Sequence, residues 1–215
     1  MQEIVDISGK AITAEVALQF SDKHEETLVT GAKEDPHAFG ELFDKYYNSI
    51  LNYVLHRTAN VGLAEELTSN TFFNALRKLD TFKWRNIPFS AWLYRIASNE
   101  INGYFRKNKK KNLSLLDDNI ENLSDENSIA DIEIKKEEKN IAQNKIFNEL
   151  HSAIIKVKPK YQEVIILRYF EKKSIKEISQ INGKATGTVK SLLHRGLQKL
   201  KNEINSSLYE DFINE

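Results

Sequence analysis

Residues 174–201 read SIKEISQINGKATGTVKSLLHRGLQKLK, and their reading decides the fold. The stretch is two helices joined by a tight turn. Ser174 and Glu177 stand three residues apart and fit a capping box that starts the first helix. Ile175 and Ile178 give that helix an inner face. Asn182-Gly183 ends it, because both residues tolerate the left-handed backbone that closes a helix. Thr186 is positioned to cap the second helix. Val189, Leu192, Leu193, Leu197, Leu200 and Ile204 then recur at helical spacing on one side. Lys190, Ser191, His194, Arg195, Gln198 and Lys199 fall on the other. Such a helix fits a DNA major groove, its charges meeting phosphates and its polar groups meeting base edges. The competing reading is an ordinary helical hairpin with a solvated face.

Working outward, the 215 residues suffice for one or two domains with real cores. Only eight glycines and three prolines punctuate the chain, and its apolar residues recur mostly at helical spacing, which predicts an all-α protein. There are no cysteines, so disulfides and thiolate zinc sites are excluded, and the five histidines show no metal-ligand spacing. No metal and no cofactor is expected. No nucleophile–base pair or phosphate-cradling glycine loop is visible, so an enzyme is not expected either. No apolar run reaches membrane-spanning length, and the opening MQEIVDISGK lacks the features of a secretion signal. The expectation is a cytoplasmic protein without membrane insertion.

The formal net charge of zero conceals a pattern. Residues 23–112 carry 14 bases against 10 acids, and residues 145–205 carry 13 against 5. Between them, residues 113–144 hold 3 bases and 9 acids. Two basic blocks are thus separated by an acidic one, a distribution suited to nucleic acid.

The first block opens with Asp35-Pro36, a cap followed by proline at the first helical position. Phe39, Leu42, Phe43, Tyr46, Ile50, Leu51 and Val54 form one apolar face. A second helix is expected over about 63–79, with Leu67, Phe72, Ala75, Leu76 and Leu79 apolar. A loop over 80–88 carries Phe82 and Trp84, and a long helix follows from about 89 to 107, ending in a lysine run to Lys111. From 112 to 139 the pattern breaks down into an acidic, Asn- and Ser-rich linker. The second block should hold helices at about 140–157 and 159–170, then the helix-turn-helix. The expected division is an extension at 1–22, a helical domain at 23–111, the linker at 112–139, a second helical domain at 140–205 and a tail at 206–215.

In this order, AEELTSNTFFNALRKLDTF, FSAWLYRIASNEINGYFRK, the acidic linker and YQEVIILRYFEKKSIKEISQINGKATGTVKSLLHRGLQKLK resemble the bacterial sigma-70 family. The resemblance is to its short, two-domain, extracytoplasmic-function (ECF) group, and covers roughly residues 23–204. It implies a transcription initiation factor that binds core RNA polymerase, recognises minus-thirty-five and minus-ten promoter DNA and promotes strand opening. The first domain would dock on the beta-prime clamp helices and handle the minus-ten element. The second would dock on the beta flap and read the minus-thirty-five element. An anti-sigma factor is a further implied partner.

The resemblance also implies sites. The 80–88 loop corresponds to the family's reader of the melted minus-ten strand, with Phe82, Lys83, Trp84, Arg85 and Asn86 supplying stacking faces, phosphate contacts and an amide. Two readings of Trp84 stand: stacking on a base, or packing across the loop onto its own domain. Trp92, Leu93 and Ile96 read as core. Asn99, Asn102 and Arg106, at i, i+3 and i+7, form the face that meets upstream minus-ten DNA in the family, and the run beginning at Lys107 contacts phosphate. Glu65, Glu66, Leu67 and Asn70 carry over as polymerase-binding candidates, although Ser69 and Asn70 depart from the family's usual Gln-Glu. Thr186, Gly187 and Thr188 suit a phosphate, and Lys190, Ser191, His194, Arg195 and Lys199 occupy groove-facing positions. Leu192 departs from the family's frequent basic residue. The rival reading from another class is a stand-alone helix-turn-helix repressor or activator, which has no need of the aromatic loop.

Overall fold

The computed structural model describes residues 4–5, 11–12, 14–84, 87–116, 149–204 and 212–213, with side chains over 24–84, 87–108, 149–204 and 212–213. Two short strands, β1 (Ile4–Val5) and β2 (Ala11–Ile12), pair antiparallel, with Ile4 opposite Ile12. Both domains that follow are helical, in keeping with the all-α expectation. The first begins with a helix not foreseen from sequence, α1 (Ala14–Glu34), which runs across position 22 and buries Val29 and Ala32.

Local chemistry sets the next boundaries. Asp35 caps as expected, its carboxylate accepting the His37 N–H at 2.9 Å, but Pro36–Ala38 forms a 3-10 turn. Helix α2 (Phe39–Thr58) follows and closes on Ala59, which takes a left-handed φ of 54°. Asn60 then caps α3 (Val61–Arg77), its side-chain oxygen accepting the Leu63 N–H at 2.8 Å. That cap starts the helix two residues earlier than the apolar pattern alone suggested. A second 3-10 turn, Leu79–Thr81, leads through the loop to α4 (Phe89–Leu116). This helix continues through the lysine run and into the segment expected as linker. The remaining linker, 117–139, lies outside the described residues.

Helices α2, α3 and α4 bury Leu42, Ile50, Val54, Phe72, Phe89 and Leu93 between them. Each such side chain contributes about 1.5–3 kcal/mol by leaving water. Phe72 sits at the centre, its ring 4.7 Å from Phe43 and 6.4 Å from Phe39.

In the second block the described residues begin inside α5, helical over 149–156, while 140–148 of the expected helix lie outside them. Helix α6 (Pro159–Ile165) follows with proline at its first turn. At Ile166–Phe170 the helix widens into a π turn, marked by the Glu171 N–H donating to the Ile166 carbonyl at 3.0 Å. Helix α7 (Ile175–Asn182) has both halves of the expected capping box: the Glu177 N–H donates to Ser174 Oγ, and the Ser174 N–H to Glu177 Oε2. Gly183 closes it at φ 68°. Helix α8 (Thr186–Lys201) packs on α6 through Gly196, where a Cβ would lie 3.2 Å from Tyr161 Cβ. Ala185 takes the capping position without a side-chain bond, so Thr186 is the first helical residue and not the cap.

The two domains pack directly on each other, α4 against α7 and α2 against the π turn. Tyr94 Oη donates to Glu171 at 2.5 Å and Ser98 Oγ to Glu163 at 2.9 Å. His151 Nε2 donates to the His56 carbonyl at 2.8 Å. Gly183 sits where a Cβ would strike the Arg95 guanidinium. Phe212, from the tail, is buried against Tyr169 and Phe170.

Candidate nucleic-acid interface

Helix α8 presents its two faces as its spacing requires. Val189, Leu192 and Leu200 are buried, so the departure at Leu192 adds to the core. Thr186, Gly187, Thr188, Lys190, Ser191, His194, Arg195 and Lys199 are all exposed. The outer face is partly ordered by its own bonds. Ser191 Oγ donates to the Gly187 carbonyl at 3.0 Å, Arg195 Nε to the Ser191 carbonyl at 3.2 Å, and His194 Nε2 lies 3.1 Å from Gln198 Nε2. Arg195 thereby spends one N–H on the helix and keeps its terminal fork for a partner.

A second exposed polar face lies on α4. Asn99, Asn102, Arg106 and Lys107 share it. Asn102 is held at its base, its Oδ1 accepting from Arg57 Nη2 at 3.4 Å. Arg57 itself is only 2% exposed, and its Nη1 donates to Tyr53 Oη at 3.0 Å. Tyr53 lies 2.7 Å from Ser98 Oγ, which donates to Glu163. A buried guanidinium is therefore linked to a carboxylate of the other domain through two hydroxyls, an arrangement that offsets part of its desolvation cost. Burial pushes the Tyr53 phenol up to about 12, against the lowering effect of Arg57.

The loop between Leu79–Thr81 and α4 separates its aromatics. Phe82 is only 5% exposed, its ring 5.5 Å from Phe89 and 5.1 Å from Trp92. It anchors the loop and offers no free face to a base. Trp84 is half-buried and meets Phe82 edge-on at 6.0 Å, while Lys83 is exposed. Arg85 and Asn86 lie outside the described residues. Thr81, Lys83, Ile87, Trp92, Arg95 and Gln180 border a cavity of about 380 Å³ between this loop and α7.

On α3, Glu65 and Glu66 are exposed and Asn70 half-buried, but Leu67 is 3% exposed and belongs to the core. Three apolar residues of α3 stand outside instead: Val61 at its start, 38% exposed, and Phe73 at 59% and Leu76 at 40% near its end. Arg77 lies over the Phe73 ring at 5.6 Å. Phe73 was missed in the sequence, although adjacent Phe72 and Phe73 cannot both face one core from a single helix.

The domain boundary perturbs its ionisable groups. Burial, with His151 beside it, lowers His56 to about 4. Burial also lowers His151, against its bond to the His56 carbonyl. The His56 ring lies 4.2 Å from Phe170 and 5.7 Å from His151. Glu171 is raised by burial, against Tyr94 and Lys173, and the Tyr94 phenol is raised by burial and then by Glu171.

Residues 42–111 match the family described as Sigma-70 region 2, and residues 147–200 match Sigma-70, region 4. The ECF RNA polymerase sigma factor SigW of Bacillus subtilis is 32% identical over 175 residues, covering 80% of this chain and 91% of SigW. RNA polymerase sigma factor YlaC of the same organism is 28% identical over 80% of this chain and 95% of its own. The ECF RNA polymerase sigma factor BldN of Streptomyces coelicolor is 29% identical over 76% of this chain, which spans 59% of BldN. Among solved structures, the sigma factor RpoE in complex with the anti-sigma factor NepR from Bartonella quintana shares the fold. Its TM-score is 0.60 at 21% identity, covering 77% of this chain and 95% of RpoE.

Proposed function

The chain belongs to the extracytoplasmic-function group of the sigma-70 family of RNA polymerase sigma factors, and from that premise we propose how its two domains divide the work. The protein initiates transcription: it binds core RNA polymerase, recognises promoter DNA and helps open the strands, without an enzymatic step of its own. One observation carries the assignment of sites. The chain exposes two separate basic and polar helix faces, one on α8 and one on α4, in two different domains.

Helix α8 reads the minus-thirty-five element through Lys190, Ser191, His194 and Arg195, with Lys199 on phosphate. Thr186, Gly187 and Thr188 bring a helix N-terminus to the backbone. Asn99, Asn102, Arg106 and Lys107 meet duplex at the upstream edge of the minus-ten element, where amides pair with base edges and cations with phosphates. Lys83, Trp84, Arg85 and Asn86 receive the opened strand, whose unstacked bases gain a stacking face that the duplex denies them. Phe82 positions this loop. Glu65, Glu66 and Asn70, joined by Phe73, dock on the beta-prime clamp helices, and the second domain docks on the beta flap.

Minus-ten and minus-thirty-five centres lie about 25 base pairs apart, roughly 85 Å of duplex. A domain of 60–90 residues has a radius of gyration of only about 10–12 Å. Domains joined by side-chain hydrogen bonds cannot occupy both elements, so the packed state parts when promoter and polymerase are engaged. The place of action is the cytoplasm, and an anti-sigma factor is the expected regulator, holding the protein away from polymerase.

The test is transcription in vitro from genomic fragments with core polymerase. Specific initiation should require both polymerase and this protein. Tight binding to a single operator by the protein alone, with no new transcripts when polymerase is added, would make it a repressor-type regulator.

A further inference from the structure

Helix α1 lies before the matched region 42–111, yet it reaches the minus-ten loop. Lys33, in its last turn, donates from Nζ to the backbone carbonyl of Phe82 at 2.8 Å. The Phe82 N–H is already committed to the Leu79 carbonyl at 3.0 Å. Both backbone groups of Phe82 are thereby fixed. A peptide unit is planar, so holding the Phe82 carbonyl also sets the direction in which Lys83 leaves.

The helix that carries Lys33 is itself tied down. Glu25, buried in α1, pairs with Lys45 at 3.1 Å and accepts the Tyr46 hydroxyl. The Tyr46 ring packs on Phe89 at 6.0 Å, and Phe89 packs on Phe82. Glu25 therefore anchors α1 to α2, and through Tyr46 to the aromatic cluster beneath the loop. Above that cluster, Lys33 is the side chain from α1 that holds the loop backbone. A lysine amine is a charged donor, and its bond to a carbonyl is among the stronger single contacts a loop can have.

We propose that Lys33 is a positioning residue for promoter melting: α1 is a strut whose lysine fixes the Phe82–Lys83 peptide so that Lys83 and Trp84 face the opened minus-ten strand. The proposal rests on the assignment of this loop to that strand. It predicts that the strut matters for base discrimination in the open complex and little for folding, because Lys33 is an exposed residue at a helix end.

The experiment uses the full-length protein with core polymerase, comparing Lys33→Met, which keeps the apolar stem, Lys33→Arg, which restores a charged donor, and Trp84→Ala. Open-complex formation is measured on templates carrying each base at the minus-ten positions, alongside thermal unfolding. Lys33→Met should lose about tenfold in minus-ten discrimination, Lys33→Arg should recover most of it, and the unfolding midpoints of both should match the wild type. If Trp84→Ala erodes discrimination and Lys33→Met does not, the strut is refuted while the loop assignment stands. If neither variant changes discrimination, the loop assignment fails and the strut with it. A loss in Lys33→Met that tracks a lowered unfolding midpoint, unrelieved by arginine, would reduce Lys33 to a structural contact and overturn the proposal.

Discussion

Tyr94 donates its phenol to Glu171 at 2.5 Å across the boundary between the two domains. The bond joins α4, the helix that also carries the exposed Asn99 and Asn102, to the segment just before the helix-turn-helix. Lys173 lies over the Tyr94 ring at 5.1 Å and completes the contact. Tyr94→Phe removes the donor and leaves a half-buried carboxylate without it. Packing of the domains should weaken by about 1–3 kcal/mol. Energy transfer between dyes on α3 and α8 would report a larger open fraction, and assembly with core polymerase should become easier. An unchanged transfer efficiency would mean that the bond does not hold the domains together.

The same boundary should respond to acid. His56 is lowered from 6.5 to about 4 by burial, with His151 adding to the effect. A depressed histidine stabilises the packed state fully above its free value and progressively less as pH falls through the depressed one. The stabilisation is therefore complete above about 6.5 and lost between there and 4, by at most about 1.4 kcal/mol for each pH unit inside that window. His151 shifts in the same direction. Raising Glu171 acts the opposite way, since its protonation on acidification favours the buried state. Domain separation followed from pH 7.5 to 4.5 should increase, and His56→Gln should flatten the curve. A flat wild-type profile contradicts the assignment.

Gly196 lets α8 approach α6 closely. A Cβ there would lie 3.1 Å from Ile165 Cδ1 and 3.2 Å from Tyr161 Cβ. The isoleucine end can shift, but the tyrosine Cβ is tied to its backbone. Gly196→Val should therefore cost about 1–3 kcal/mol of stability by overpacking, despite removing glycine from a helix. Urea unfolding would register the loss. A gain in stability would mean that α8 can slide on α6.

What was legible in the sequence was local. The Ser174–Glu177 box and the Asn182-Gly183 stop depend on residues a few positions apart, so one chain suffices to read them. The outer face of α8 follows from its period in the same way. Partition across longer distances was not legible. Leu67 and Phe82 look like ligand-facing residues in a motif, but whether an apolar side chain points in or out is decided by which helix lies beside it. Asn60 was an available capping signal for α3, and the adjacent Phe72 and Phe73 showed that one ring must face out. The domain boundary has no such signature: Tyr94 and Glu171 are 77 positions apart, and only the folded chain brings them together.

Phe73 exposes most of a phenyl ring on the helix that carries Glu65 and Glu66. An aromatic ring left in water, steadied by Arg77, is the kind of anchor that dominates a protein interface. Phe73→Ser should weaken core polymerase binding about tenfold or more, with stability changed by less than about 0.5 kcal/mol. Leu67→Ala should do the reverse, costing about 2–5 kcal/mol in folding because it empties core volume. Competition binding to core polymerase together with thermal unfolding separates the two. Equal binding by Phe73→Ser and wild type would exclude Phe73 from the docking face.

Arg195 is held along α8 by its Nε bond to Ser191, which aims its terminal fork outward before any DNA arrives. If the fork pairs with a guanine edge, Arg195→Ala should cost about 1–3 kcal/mol at the cognate minus-thirty-five element and flatten preference at one base position. Arg195→Lys then recovers little, since an ammonium cannot make the two parallel bonds. If the fork sits on phosphate, lysine restores most activity, and alanine weakens all sequences alike with a smaller salt dependence. Transcription from a panel of minus-thirty-five variants at two salt concentrations distinguishes these outcomes. Wild-type preference and wild-type salt slope in both variants would remove Arg195 from the DNA-reading surface.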